Sequence, residues 1–329
     1  MDKEHKIKRI AVFTSGGDAP GMNAALRAVV RTAAFHDLHV YGISRGYEGM
    51  IDGELKRLEI REVGNIIHRG GTFLKTARSM RFMTPEGRKA ALESLTAFDI
   101  DGCIAIGGNG TFTGADIFSK ECNIPFIGIP GTIDNDLYGT DFTIGFDTAV
   151  NTAVDAVDKI RDTADSHNRL FFVEVMGRNS GFIALNTGIG SGAESVLIPE
   201  VDASVDALID KLKKGARRKK LFSIVIVAEG NKEGGALAIA QKVQEAFDFY
   251  DTKVAIIGHL QRGGSPSCFD RVLASRLGFA AVEGLLAGKS SVMAGIINNK
   301  ITFTPFHEAI AKDKPLDDDL VRMAEILAL

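Results

Sequence analysis

Short β-branched apolar runs recur along the chain, and each ends in glycine or polar residues. Residues 10–14 run into SGGDAPGMN, 103–106 into GGNGT, 126–129 into PGTIDND, 170–175 into MGRNSG, 222–227 into AEG and 254–257 into GHLQRGG. Such runs, bounded by turn signals, read as strands buried on both faces. Amphipathic stretches of helical length lie between them, at 24–35, 148–163, 205–216 and 268–286. Strand–helix alternation predicts an α/β fold with largely parallel sheets. The alternation is too long for one sheet of usual width, so it divides in two, with a boundary near Gly145. In open α/β sheets, ligands bind beyond the carboxyl ends of the strands. All the glycine-rich or polar segments follow strands, so a site is expected along those edges.

Composition narrows the function classes. The formal net charge is −3, which leaves no global basic field for nucleic acid. Cys103, Cys122 and Cys268 are widely spaced and lack a CxxC, as expected of reduced thiols rather than a disulfide or zinc framework. The N-terminal stretch lacks the long apolar region of a secretory signal, and no apolar run nears the ~20 residues that span a bilayer. The expected setting is the cytoplasm, with no membrane partner.

In SGGDAPGMN, Gly16 and Gly17 let the backbone turn after a strand and approach a ligand closely, and a helix N-terminus follows. An ordinary strand–helix turn has the same look. GGNGT, residues 107–111, matches neither GxGxxG nor Walker A. It is a phosphate cradle of a third kind or an unremarkable turn. PGTIDND is more specific. Phosphoryl transfer needs one carboxylate to accept the proton of the attacking hydroxyl, and others to hold Mg²⁺ against the phosphates. Asp134 and Asp136 are candidates for those roles, although acidic residues also favour turns for local reasons. Arg169, Arg178, Lys253 and Arg262 stand at strand ends, Lys253 just ahead of its strand, as cations for a phosphorylated substrate. Glu229 and His259 could hold a sugar hydroxyl.

Together SGGDAPGMNAA, NIIHRGGTFLKTAR, PGTIDND, TIGFDTA, VEVMGR and GHLQRGGSP resemble, in order, the motifs of the bacterial ATP-dependent 6-phosphofructokinases. The likeness covers nearly the whole chain and weakens only in the last twenty or so residues. It implies two Rossmann-like three-layer αβα domains, an ATP-binding one over 1–144 plus 260–311 and a sugar-phosphate-binding one over 145–259 plus 312–329. It implies ATP contacts from Gly17, Arg78, Ser79, Gly108, Asn109, Gly110 and Thr111. Asp134 would be the general base for the 1-hydroxyl of fructose 6-phosphate, with Thr132 and Arg178 beside it in catalysis. Substrate contacts would come from Thr132, Ile133, Met176, Gly177, Arg178, Glu229, His259, Leu260, Gln261 and Arg262. Arg169 and Lys253 would reach the 6-phosphate from a neighbouring subunit, which implies a homotetramer. Mg²⁺ would be held by Asn109 and Asp136.

Members that use ATP resemble this chain at Gly110 and Gly131, where pyrophosphate users carry Asp and Lys. The family's Asp is Asn109 here, which keeps an oxygen but removes a charge. A unit pair at about 4 Å is worth roughly 4 kcal/mol at an effective dielectric near 20, so weaker metal binding with catalysis retained is expected. Lys253 stands where the family usually has Arg, a point charge for a fork. Arg27, Arg31, Arg161, Gly192, Glu194, Arg218 and Lys220 fall on the family's effector site, which takes ADP or phosphoenolpyruvate, while Ile60, Leu221 and Phe222 are apolar departures. Two alternatives stay open: a kinase using pyrophosphate or another sugar phosphate, and a nucleotide-binding regulatory or weakly active relative, suggested by Asn109.

Overall fold

The computed structural model describes residues 7–164, 169–201, 204–218 and 222–328. The chain forms two compact units. The larger comprises Met1–Thr132, Leu137–Gly145 and Arg262–Lys314, the smaller Ile133–Asp136, Phe146–Gln261 and Pro315–Leu329. Against the expected division, Ile133–Asp136 and residues 260–261 group with the smaller unit, and Gly145 and residues 312–314 group with the larger.

The larger unit opens with β1 (Arg9–Thr14), α1 (Met22–Phe35), β2 (His39–Ile43), α2 (Gly46–Ile51), β3 (Leu55–Leu58), α3 (Pro85–Ala97), β4 (Gly102–Gly107), α4 (Asn109–Cys122) and β5 (Phe126–Pro130). The smaller unit follows with α5 (Phe146–Ala164), β6 (Arg169–Val175), α6 (Phe182–Ser191), β7 (Ser195–Leu197), α7 (Val205–Arg217), β8 (Ser223–Ala228), α8 (Ala236–Ala246) and β9 (Asp251–Ile256). The chain returns to the larger unit for α9 (Cys268–Leu286), β10 (Val292–Ile297), β11 (Lys300–Pro305) and α10 (Phe306–Ala311), and α11 (Asp318–Leu327) completes the smaller.

The larger unit's sheet runs β11-β10-β5-β4-β1-β2-β3. Its inner pairs are parallel, and only β10–β11 and β2–β3 are antiparallel. Because side chains alternate across a strand, Ala11, Phe13, Cys103, Ala105 and Phe126 enter one core with Tyr47, Phe82, Phe112, Phe118 and Phe306. Residues of the opposite parity face α9: a Cβ added to Gly102 would lie 2.9 Å from Leu285 Cδ2, and one added to Gly284 would lie 3.1 Å from Ile127 Cδ1. The result is three layers, αβα. Tyr47 stacks on Phe82 at 4.0 Å and Phe112 on Phe306 at 5.3 Å, and each such buried ring contributes about 1.5–3 kcal/mol by its removal from water.

The smaller unit's sheet, β7-β8-β6-β9, is wholly parallel. Leu170, Phe172, Val225 and Val227 pack with α7 and α8 on one face. β9 is an edge strand with exposed residues on both faces, so it tolerates Asp251 and Lys253 inside it. Lys253 thus lies within β9, a correction to its expected place ahead of the strand, because polar residues on an edge hide the strand's start. Among the described residues, no helix is long and apolar enough to cross a membrane.

Candidate active site

The larger unit gathers the glycine-rich segments at the carboxyl ends of β1, β4 and β5. Hydrogen bonding continues past the strands there: Ser15 N donates to Ile106 O at 3.0 Å, and Gly131 N to Gly107 O at 2.9 Å. Thr111 Oγ1 donates to Ser15 O at 3.2 Å, and Tyr47 Oη to Thr111 O at 2.6 Å. A Cβ on Gly107 would lie 2.3 Å from Thr111 Oγ1 and 2.5 Å from Ser15 O, so only glycine admits this approach.

Helix α4 begins on Gly108, has no acidic residue in its first turn, and carries no side-chain cap. α3, α7, α9 and α11 are capped by Thr84, Ser204, Ser267 and Asp317, whereas α1, α2, α6, α8 and α10, like α4, carry no side-chain cap. The N-terminus of α4 thus offers its partial positive charge without a competing side chain. Asn109 is the first helical residue, and Gly110 behind it is exposed, with nothing within 4 Å of an added Cβ. Thr132 lies against Gly108, at 3.6 Å from an added Cβ, and its carbonyl accepts from Thr143 Oγ1 at 2.6 Å. Arg262 belongs to this unit: its Nη1 donates to Asp18 O at 3.1 Å and would meet a Cβ on Gly17 at 2.7 Å. Arg78 is exposed, and Ser79 Oγ donates to Glu48 Oε2 at 2.5 Å.

The smaller unit builds a second constellation on the turns after β6 and β8. Gly177 (φ 145°) and Arg178 (φ 52°) take left-handed backbone. Their N–H groups both donate to Glu229 Oε1, at 3.1 and 2.7 Å. Arg178 Nε stands 3.6 Å from Asp134 Oδ2, with the Asp134 side chain 4% exposed and that of Arg178 67%. Ser180 Oγ donates to the Asp134 carbonyl at 2.9 Å. Asp136 follows, half-buried. The group is a nearly buried carboxylate facing a guanidinium that solvent, or a ligand, can reach. Sequence reasoning missed Gly230, whose added Cβ would lie 1.8 Å from Arg178 O; its place beside Glu229 was the available signal. Gly230→Ala will therefore destabilise the fold by about 1–3 kcal/mol, read as a lowered Tm, and will displace Arg178.

The remaining expected substrate contacts differ in how far their side chains are available. Gln261 is fully buried, its Oε1 accepting from Met176 N at 2.8 Å and its Nε2 donating to Ala149 O at 3.3 Å. Its amide is spent inside the fold. Ile133 is also fully buried, so only its backbone is available. Leu260 is apolar and 70% exposed, and His259 beside it is exposed. Met176 is buried at the end of β6.

Arg169 and Lys253 share Asp251, at 3.6 and 2.8 Å, and Lys253 is the main cause of that carboxyl's lowered pKa. Arg169 Nη1 also donates to Thr163 Oγ1 at 2.9 Å. Arg169 opens β6, whereas Met176–Arg178 follow its far end. Seven residues of strand at about 3.3 Å each put roughly 20 Å between them. One chain's Arg169 and Lys253 therefore do not join its own Arg178.

Of the expected effector residues, Arg161 Nη2 donates to Ser191 O and, at 3.4 Å, to Gly192 O at the left-handed end of α6. Glu194 is buried, with its N–H on Ile224 O at 2.8 Å, and Arg218 is exposed after α7. Arg27 and Arg31 lie on α1 in the other unit, and burial, then Arg31's like charge, lowers the Arg27 pKa. Lys220 lies outside the described residues. Among those described, no group of three or more His, Cys, Asp or Glu gathers as a metal site.

A doubly wound sheet with an uncapped glycine cradle at its strand tips, in a chain whose second unit presents a buried carboxylate against an arginine, marks an α/β protein built to handle phosphate. The chain belongs to the phosphofructokinase family: the family model described as phosphofructokinase matches residues 9–285. A protein of Cytophaga hutchinsonii named ATP-dependent 6-phosphofructokinase is 57% identical over 321 residues, covering 98% of each chain. One of Thermus thermophilus named ATP-dependent 6-phosphofructokinase 1 is 54% identical over 323 residues, 98% of this chain and 100% of its own. The solved phosphofructokinase of Saccharomyces cerevisiae is similar with a TM-score of 0.87 at 38% identity, over 92% of this chain and 45% of that one. A pyrophosphate-dependent phosphofructokinase of Marinobacter aquaeolei is similar at a TM-score of 0.84 and 27% identity, over 95% of this chain and 86% of that one. The fold is thus shared by users of different donors, and the donor must be argued from residues.

Proposed function

We propose that the protein transfers the γ-phosphoryl group of ATP to the 1-hydroxyl of fructose 6-phosphate, giving ADP and fructose 1,6-bisphosphate, a step of glycolysis. The observation that carries the reading is Asp134, a nearly buried carboxylate with the Arg178 guanidinium 3.6 Å away. Asp134 accepts the hydroxyl proton as the oxygen attacks. Arg178 faces the charge that spreads over the transferred group. Glu229 keeps the Gly177–Arg178 turn in place through its bonds to both N–H groups. Gly17, Gly108, Gly110 and Thr111 receive the nucleotide phosphates at the uncapped start of α4, with Arg78 as a counter-charge. ATP rather than pyrophosphate is supported by open space at Gly110 and by relatives named for ATP at above half identity.

Asp136 and Asn109 would hold Mg²⁺, which neutralises phosphate charge when bound. One carboxylate and one amide fit an ion that travels mainly on the substrate's phosphates and keeps its waters, as Mg²⁺ commonly does. Asn109→Asp will lower the Mg²⁺ concentration needed for half-maximal rate; an unchanged requirement in a Mg²⁺ titration removes this position from the metal's field.

The distance of Arg169 and Lys253 from Arg178 supports their service to a neighbouring subunit's 6-phosphate, and hence a homotetramer. Arg161, Gly192, Glu194 and Arg218, with Arg27, Arg31 and Lys220, are proposed to take an ADP or phosphoenolpyruvate effector. The free thiols of Cys103, Cys122 and Cys268 suit a reducing cytoplasm. A coupled rate assay with fructose 6-phosphate and either ATP or pyrophosphate tests the reading; activity with pyrophosphate alone would overturn it.

A further inference from the structure

The segment carrying Arg78 is a strap pinned at both ends. At one end Arg45 N donates to Leu74 O at 2.8 Å, and Thr14 Oγ1 donates to Lys75 O at 2.9 Å, with Lys75 in left-handed backbone at φ 60°. Thr14 is the last residue of β1, so this end lies beside the SGG turn. At the other end a single carboxylate serves two partners. Glu48 Oε2 accepts from Ser79 Oγ at 2.5 Å, and Oε1 accepts from Arg81 Nη1 at 2.8 Å. Ser79 Oγ in turn accepts from Phe82 N at 3.1 Å, and the Phe82 ring stacks on Tyr47, next to Glu48 in sequence. Arg81 also reaches Asp52 at 2.8 Å, and Asp52 and Glu54 both bind Arg45, closing the chain of charges onto the first anchor. α2 itself is seated tightly, since a Cβ on Gly49 would lie 1.7 Å from Ser44 O. The Ser79 hydrogen bond, and then Arg81, hold the Glu48 carboxyl below its ordinary range, so it is ionised at neutral pH. Between the anchors stands the exposed Arg78.

We propose that Glu48 is a positioning residue for the nucleotide: its two oxygens fix Ser79 and Arg81 so that the strap presents Arg78 to phosphates bound at the turn after β1. The inference rests on the reading of Arg78 as a nucleotide ligand. Precise sites depend on such supporting hydrogen bonds, because an unheld side chain must be ordered at the moment of binding.

The test compares the full-length parent with Glu48→Ala, Glu48→Gln, Arg78→Ala and the Glu48→Ala/Arg78→Ala double variant. KM for ATP, KM for fructose 6-phosphate and Tm are measured, and ADP affinity is measured by calorimetry. Glu48→Ala is expected to raise KM for ATP about 10-fold and weaken ADP to match, with KM for fructose 6-phosphate within about twofold. Glu48→Gln keeps an acceptor for Ser79 but loses the charge facing Arg81, and is expected to cost about threefold. In the Arg78→Ala background, Glu48→Ala should add nothing. Nucleotide binding unchanged in Glu48→Ala, equal losses for both substrates tracking a fallen Tm, or full multiplication of the two single effects would each overturn the proposal. Arg78→Ala without effect on either nucleotide would instead remove the underlying reading. Arg81→Met carries the same comparison should Glu48→Ala fail to fold.

Discussion

Asp134→Ala will lower kcat by roughly 10²–10⁴ while changing ATP affinity little. The expectation follows from where Asp134 sits. It belongs to the smaller unit with Arg178, whereas the glycine cradle is formed in the larger unit. On the proposed roles, removing its carboxylate takes away the proton acceptor but none of the nucleotide's contacts. Binding and chemistry therefore separate. Asp134→Asn refines the test, since it preserves size and the backbone contact from Ser180 but not basicity. Steady-state kinetics with ATP titrated at saturating sugar phosphate check the split. Parent-like kcat in either variant removes Asp134 from the mechanism, and a large rise in KM for ATP would mean that its role is binding.

Gly110→Asp will leave the fold as stable as the parent or more so, and yet raise KM for ATP by roughly 100-fold or more. An added Cβ at Gly110 meets nothing within 4 Å, so no clash opposes the side chain. The position lies in the first turn of α4, which has no acidic residue, and an Asp there gains about 0.3–1 kcal/mol from the helix dipole. Replacing a helical glycine adds to this. The same carboxylate would fill the room left for the nucleotide and oppose its phosphates. Like charges about 4 Å apart cost roughly 4 kcal/mol at an effective dielectric near 20, enough for the loss expected. A thermal melt and an ATP titration together check it. Unchanged KM for ATP would mean that the nucleotide does not bind over this turn.

Five parallel strands were legible because burial on both faces makes them read as unbroken apolar runs: β1, β4, β5, β6 and β8 follow the runs quoted from the sequence, whereas β2, β7 and β10, which also pair in parallel, were not among them. The antiparallel edges were not legible. β3 reads LKRL and β11 KITFTP at the two edges of the sheet, so polar residues break the run. β9 hid its first residues for the same reason. In the candidate site, Asp134, Arg178 and Glu229, which the structure brings together, could be singled out because each stands in a polar turn just past an apolar strand. What could not be read was which groups are spent internally. The Gln261 amide, in GHLQRGG, looked like a ligand but ties Met176 to Ala149. Arg262, one residue later, sits against Gly17 and Asp18, far away in sequence. Glu48 and Arg81 were missed because their pairing joins a helix to a strap about thirty residues on, and no local periodicity links them. The available signal was the density of charge around α2, where Arg45, Glu48, Asp52 and Glu54 crowd one short stretch.

Phosphorus NMR of the purified protein mixed with ATP, Mg²⁺ and fructose 6-phosphate tests the account most directly. The γ-phosphorus signal of ATP is expected to give way to ADP and, in equal amount, to a new phosphate ester on carbon 1 of the sugar. Inorganic phosphate appearing in place of that ester, or ester forming only when pyrophosphate replaces ATP, would contradict it.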